Sequence, residues 1–77
     1  MNIVVYTQSK CPNCKVAKDI LNSKGIGFEE RNAEDVTVFL ELTKRYPEVR
    51  QMPQIFIEGQ RVGGLAGLQA ALTGMGL

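Results

Sequence analysis

The chain has no histidine and only two cysteines in 77 residues, and each shortage narrows what it can be. A closed tetrahedral zinc site wants four thiolate or imidazole donors. Two thiols cannot supply them without a second subunit, an external thiol, or carboxylates such as Glu29 and Glu30 brought in by the fold. Two cysteines are also too few for the disulfide-dense scaffold of small secreted domains, so a cytoplasmic setting is expected. Excess charge of one sign is missing as well. The formal net charge is +1, far from the basic surplus of a nucleic-acid binder. No apolar run approaches the roughly 18 residues that cross a bilayer. The opening "MNIVVYTQSK" lacks the basic and long apolar regions of a secretory leader. Neither nucleic acid nor membrane is therefore expected as a partner. A chain this short reads as one domain, residues 1–77, burying only about 60–65% of its unfolded surface.

What is present is ordinary globular material: 44% apolar and 22% charged residues exclude disorder on composition. The charge is unevenly spread. Between Lys10 and Lys24 stand four lysines and one acid, whereas Glu29 to Glu48 holds six acids and three basic residues. Two explanations stay open here. The charges are solvated helix faces, or the lysines set up a positive field around the cysteines that favours a thiolate and an anionic thiol substrate.

Hydrophobic patterning places the elements. Ile3–Thr7 is β-branched and almost wholly apolar, a buried strand. From Pro12 the period changes: Val16, Ala17, Ile20 and Leu21 fall at helical spacing. Pro12 suits the first helical position and Gly25 a stop. A strand at Phe28–Arg31 follows. Then "AEDVTVFLELTKRY" sets Val36, Phe39, Leu40 and Thr43 along one helix face, with acids early and Lys44 and Arg45 late, as the macrodipole prefers. Gln54–Ile57, a Glu58-Gly59 turn and a return through Arg61–Val62 make a hairpin. Leu65, Leu68 and Leu72 mark a last helix, with "TGMGL" fraying out. The order β-α-β-α-β-β-α implies an α/β fold: one mixed sheet, its first β-α-β parallel through a right-handed crossover, flanked by three helices.

Both cysteines lie in "SKCPNCK". As a staple, Cys11–Cys14 would close a four-residue loop, worth only about 2 kcal/mol. A metal reading lacks donors, unless a dimer holds a metal or iron–sulfur cluster between two copies of Cys11. The redox reading uses every feature. With a helix opening at Pro12, Cys11 occupies its N-cap beside unpaired amides and the positive end of the dipole. Such settings lower cysteine pKa values from about 8.5 to roughly 3.5–7.5, and Lys10 and Lys15 add to the effect. Cys14 lies one turn on, on the same face, where a disulfide can close. It should be the less exposed thiol, so Cys11 attacks and Cys14 resolves.

"VVYT" running into Cys-Pro-x-Cys, followed some forty residues later by "MPQIFIEGQRVGG", resembles the glutaredoxins over essentially the whole chain. The resemblance implies the thioredoxin-like fold in its minimal form, a four-stranded mixed sheet with three helices. It also implies dithiol–disulfide exchange fed by glutathione as co-substrate, with no bound prosthetic group and no metal. Carried over by position, Cys11 is the nucleophile and Cys14 the resolving thiol. Pro53 is the family's cis-proline, which exposes the Met52 backbone so that an extended substrate can pair with it as a strand would. Gly63 and Gly64 are the glycine pair that lets a ligand reach the start of the last helix at Leu65. Lys10, Pro12, Asn13, Arg50 and Gln51 complete the implied glutathione site. Phe56 and Ile57 read as core, and Tyr6 as core or as a wall of the site, with core favoured.

Three positions depart from common relatives. Asn13 stands where an aromatic is frequent, and Gln8 where a lysine often binds a carboxylate. Leu65-Ala66-Gly67 lacks the aspartate that commonly holds the γ-glutamyl amino group. Implied partners are glutathione and disulfide-containing proteins, ribonucleotide reductase among them, acting on a monomer. A glutaredoxin-shaped protein reduced by a thioredoxin-reductase-type flavoprotein is the alternative.

Overall fold

The computed structural model describes all 77 residues. Its elements are β1 (Ile3–Thr7), α1 (Pro12–Ser23), β2 (Glu29–Asn32), α2 (Val36–Arg45), β3 (Gln54–Ile57), β4 (Gln60–Gly63) and α3 (Leu65–Gly74). The sheet runs β2-β1-β3-β4, with β1 and β2 parallel and the other pairings antiparallel. This is the order and the mixed sheet that the sequence implies.

Strands β1 and β3 are central and covered on both faces, which is why they read as nearly unbroken apolar runs. Successive side chains alternate between faces. Ile3, Val5, Ile55 and Ile57 meet Ala17 and Leu21 of α1 and Leu68 and Leu72 of α3. Tyr6 and Phe56 point the other way and pack with Leu42 of α2 and with Val49. Leu21, Ile55 and Leu68 are fully buried, and each contributes about 1.5–3 kcal/mol through removal from water. The aromatic side is tied further by a Tyr6–Phe56 edge contact with centroids 5.6 Å apart. The Tyr6 hydroxyl accepts from Arg31 at 3.0 Å.

The hairpin turn is as expected, and the return strand is longer. Glu58 and Gly59 both take positive φ, 52° and 79°, the pairing that matches the twist of a two-residue turn. Strand β4 extends beyond Arg61–Val62 to Gln60–Gly63. Ile55 pairs with Gly63 while Phe56 pairs with Arg61, so Val62 is one residue too many. That bulge bends the strand, and Gly63 takes φ 101° as the chain turns into α3.

Four expectations need correction. Strand β2 is Glu29–Asn32 rather than Phe28–Arg31, because Val4 pairs with Glu29 and Thr7 with Asn32. Val16 is exposed, and α1 buries Cys14, Ala17 and Leu21 instead. On α2, the stripe Val36, Phe39 and Leu40 faces solvent, Val36 at 70% exposure. The helix turns Leu42, with Val38 beside it, onto the sheet. Tyr6, Phe56 and Tyr46 already fill that face, leaving room for one narrow stripe. The C-terminus does not fray at Thr73: α3 runs to Gly74, and the Leu77 amide donates to Leu72 O at 2.9 Å.

Candidate active site

Parallel pairing of β1 with β2 leaves the C-terminal end of β1 at one edge of the molecule, and the cysteines follow directly. Lys10 takes φ 55° to turn the chain. Cys11 is then extended at the N-cap of α1, with Pro12 in the first helical position. Proline has no N–H to satisfy there. The Cys14 amide donates to Cys11 Sγ at 3.1 Å, so the sulfur is the cap of its own helix. Cys11 and Cys14 are joined as a disulfide with Cα atoms 5.2 Å apart. Cys14 is only 2% exposed whereas Cys11 is partly open.

Across from them, Met52–Pro53 is a cis peptide. The Met52 carbonyl oxygen lies 3.4 Å from Cys11 Sγ, and Pro53 is buried. An open depression of about 330 Å³ separates the two segments. Gln8, Lys10, Pro12 and Asn13 line one side of it with Cys11; Arg50, Gln51 and Met52 line the other. Gly63 lies on a neighbouring depression that shares Arg50 and Gln51. Gly64 packs against Pro53: a Cβ there would sit 3.6 Å from the proline carbonyl. Gly64 also caps α3 without a side-chain hydrogen bond, so no side chain occupies the first-turn amides. Leu65 is partly buried and packs its side chain against the main core. The fold thus brings the three segments 8–14, 50–53 and 63–65 to one edge.

The lysine cluster is partly neutralised. Lys15 pairs with Asp19 at 2.7 Å and Lys18 with Glu30 at 3.0 Å, whereas Lys10 forms no ion pair. Lys15 and Lys18 are therefore paired surface charges, and the unpaired positive charge around the Cys11 depression comes from Lys10, Arg50 and the helix end. The Thr7 hydroxyl donates to Glu30 at 2.7 Å. That bond first, and Lys18 second, hold the Glu30 carboxyl below the usual glutamate range. Glu29 is bonded to Arg31 at 2.6 Å and is lowered likewise. Both carboxylates suggested for a borrowed metal site are thus engaged elsewhere, and no group of three or more His, Cys, Asp or Glu side chains gathers to hold an ion.

Sequence reasoning missed Glu48 and Arg61, which lie 2.8 Å apart and line the neighbouring depression. No local pattern links a residue after a helix to one on a hairpin's return strand.

A glutaredoxin profile matches residues 3–62. The chain belongs to the glutaredoxin family. Glutaredoxin 3 of Escherichia coli is 36% identical over 69 residues, covering 90% of this chain and 83% of that protein. The crystal structure of glutaredoxin 1 from Francisella tularensis superposes with a TM-score of 0.80 at 25% identity, covering 96% and 94% of the two chains. The glutaredoxin-like NrdH-redoxin from Escherichia coli, described by its thioredoxin-like activity profile, superposes with a TM-score of 0.73 at 25% identity, covering 91% and 93%. The fold is the thioredoxin-like α/β fold. A glutaredoxin with this Cys-x-x-Cys pair at a helix N-terminus is a thiol–disulfide oxidoreductase.

Proposed function

We propose that this glutaredoxin reduces protein disulfides and glutathione mixed disulfides with electrons from glutathione, acting as a cytoplasmic monomer without a prosthetic group. The observation that carries the proposal is the sulfur of Cys11. It belongs to a partly exposed residue, receives the Cys14 amide at 3.1 Å, and lies 3.4 Å from the Met52 carbonyl oxygen. Donors aimed at sulfur favour S⁻ over SH, and the thiolate is the species that attacks disulfides.

In the proposed cycle the Cys11 thiolate attacks one sulfur of the substrate disulfide. The S–S bond breaks, one substrate thiolate leaves and takes a proton from solvent, and a mixed disulfide forms on Cys11. The Cys14 thiolate then attacks Cys11 Sγ, expels the second substrate thiol and closes the internal disulfide. The substrate has gained two electrons. One glutathione thiolate reopens the bond by attacking Cys11, and a second removes the first as glutathione disulfide, restoring both thiols. Pro12 fixes the helix start and Asn13 borders the opening. Lys10, Arg50 and Gln51 present donors to a glutathione carboxylate and backbone. Met52 and Pro53 offer the strand edge, and Gly63, Gly64 and the Leu65 amide receive the other carboxylate. Among protein disulfides, ribonucleotide reductase is a candidate substrate.

Two observations favour a second reading, reduction by a thioredoxin-reductase-type flavoprotein. After Gly64 the chain reads Leu65-Ala66-Gly67, without a carboxylate for an amino group. One charge-assisted hydrogen bond forgone is worth roughly 1.5–3 kcal/mol of binding. The likeness to NrdH-redoxin supports the same reading. Turnover of a disulfide substrate is compared with glutathione plus its reductase, and with thioredoxin reductase, as electron source. Faster turnover with glutathione is expected. Rapid reduction by the flavoprotein alone, with none by glutathione, overturns the first proposal.

A further inference from the structure

Two depressions meet at Arg50 and Gln51. One opens on Cys11; the other, about 520 Å³, continues away from it past Glu48 and Arg61 to Val62 and Gly63. The second is polar and carries a net positive set: Arg50 and Arg61 against Glu48. Arg50 Nη1 donates to the carbonyls of Pro47 and Val49, at 2.9 and 3.1 Å, and the guanidinium pairs with no carboxylate. The Arg61 guanidinium carbon lies over the Tyr46 ring, 4.6 Å from its centroid, a contact that favours this placement. Its partner Glu48 is 60% exposed. An exposed pair of this kind is weak and exchanges readily for another carboxylate.

We infer that the depression formed by Arg50, Arg61 and Glu48 receives acidic residues that follow the cysteine in a protein substrate. The inference rests on the oxidoreductase reading of Cys11 and adds the class of substrate. A substrate strand lying antiparallel to Arg50–Met52, with its cysteine at Cys11, advances about 3.3 Å per residue. It therefore carries the positions after its cysteine past Gln51 and Arg50 into this basin. There a substrate carboxylate replaces Glu48 on Arg61, and Glu48 turns to water. Glu48 acts as a stand-in that keeps the basin selective: neutral side chains cannot displace it, and basic ones meet two arginines.

The test uses the reduced full chain in single turnover against disulfide-linked peptide dimers. The peptides carry three glutamates, three glutamines or three lysines after the cysteine, or three glutamates before it. Hydroxyethyl disulfide serves as the small uncharged reference. Glutamates after the cysteine should raise the second-order rate constant about 2- to 5-fold over glutamines, as expected for exposed ion pairs. Glutamates before it should give no gain, and lysines a loss. The gain should vanish at high salt, where the screening length is about 3 Å. Arg61→Gln should at least halve the gain and Glu48→Gln should enlarge it, both leaving the reference rate unchanged. Opposite responses of the two variants separate charge recognition from damage to the fold, which a thermal midpoint reports independently. Equal rates for glutamate and glutamine peptides, or a gain untouched by either variant, overturn the inference while reduction of the reference persists. Loss of the reference reaction in the unaltered protein sinks the oxidoreductase reading instead.

Discussion

Gly67 sits inside α3, where replacement by alanine should help. Alanine is favoured over glycine in a helix interior by about 1 kcal/mol. The structure predicts the reverse. A Cβ at Gly67 would lie 1.8 Å from the Val62 carbonyl oxygen and 2.8 Å from its carbon. Both atoms are backbone and cannot swing aside, so α3 must move off β4 by more than an ångström. Val62 is the bulged residue of that strand, and Leu65, Leu68 and Leu72 of the helix contact the main core. Overpacking of this kind costs typically 1–3 kcal/mol, and lifting α3 adds lost burial. The net expectation for Gly67→Ala is a destabilisation of about 2 kcal/mol. In a domain of this size that is a fall in Tm of roughly 8–16 °C. Gly74, the last residue of the same helix, is the control. Its added Cβ would meet nothing within 4 Å, so Gly74→Ala should be neutral or stabilising by up to about 1 kcal/mol. Urea unfolding of both variants gives the comparison. A Gly67→Ala protein as stable as the parent would refute the close helix–strand contact.

Two further outcomes follow from the site. Cys11→Ser should abolish disulfide reduction, whereas Cys14→Ser should retain turnover of glutathione mixed disulfides and lose most activity on protein disulfides; full activity in Cys11→Ser reverses the roles. Glu30 is held below the ordinary glutamate range by Thr7 and then Lys18, so its folded-state pKa lies under its unfolded one. The stabilisation is complete above the unfolded value, about 4.3, and disappears as pH falls through the folded one. Glu30→Gln should therefore cost up to about 1 kcal/mol at pH 7, discounted for its exposure, and nothing in strong acid. Urea melts across pH check this, and a cost independent of pH contradicts it.

Much of the fold was legible because local and long-range signals agreed. The apolar runs of β1 and β3 are nearly unbroken since both faces are covered, and Glu58-Gly59 marks its turn. The cysteine pair was legible for the same reason: Pro12 announces the helix start that makes Cys11 a cap. The inward face of α2 was not. Val36, Phe39 and Leu40 form the more apolar stripe, yet Val38 and Leu42 pack on the sheet. Which stripe wins depends on how Tyr6, Tyr46 and Phe56 fill the facing surface, and periodicity carries none of that. Gly67 drew notice only for the carboxylate absent around it. A glycine within a helical pattern costs about 1 kcal/mol relative to alanine, and the Val62 carbonyl packed against Gly67 is the reason it stands there. The Glu48–Arg61 pair depends on where two distant segments settle, and only coordinates show it.

The rates at which reduced Cys11 reacts with iodoacetamide from pH 4 to 10 test the central claim most directly. A thiol that caps its own helix, accepts the Cys14 amide and shares its depression with unpaired Lys10 should ionise with a midpoint below about 7.5, well under that of a free thiol. A midpoint near 8.5, that of an ordinary free cysteine, or a thiol that the reagent cannot reach, would contradict the account.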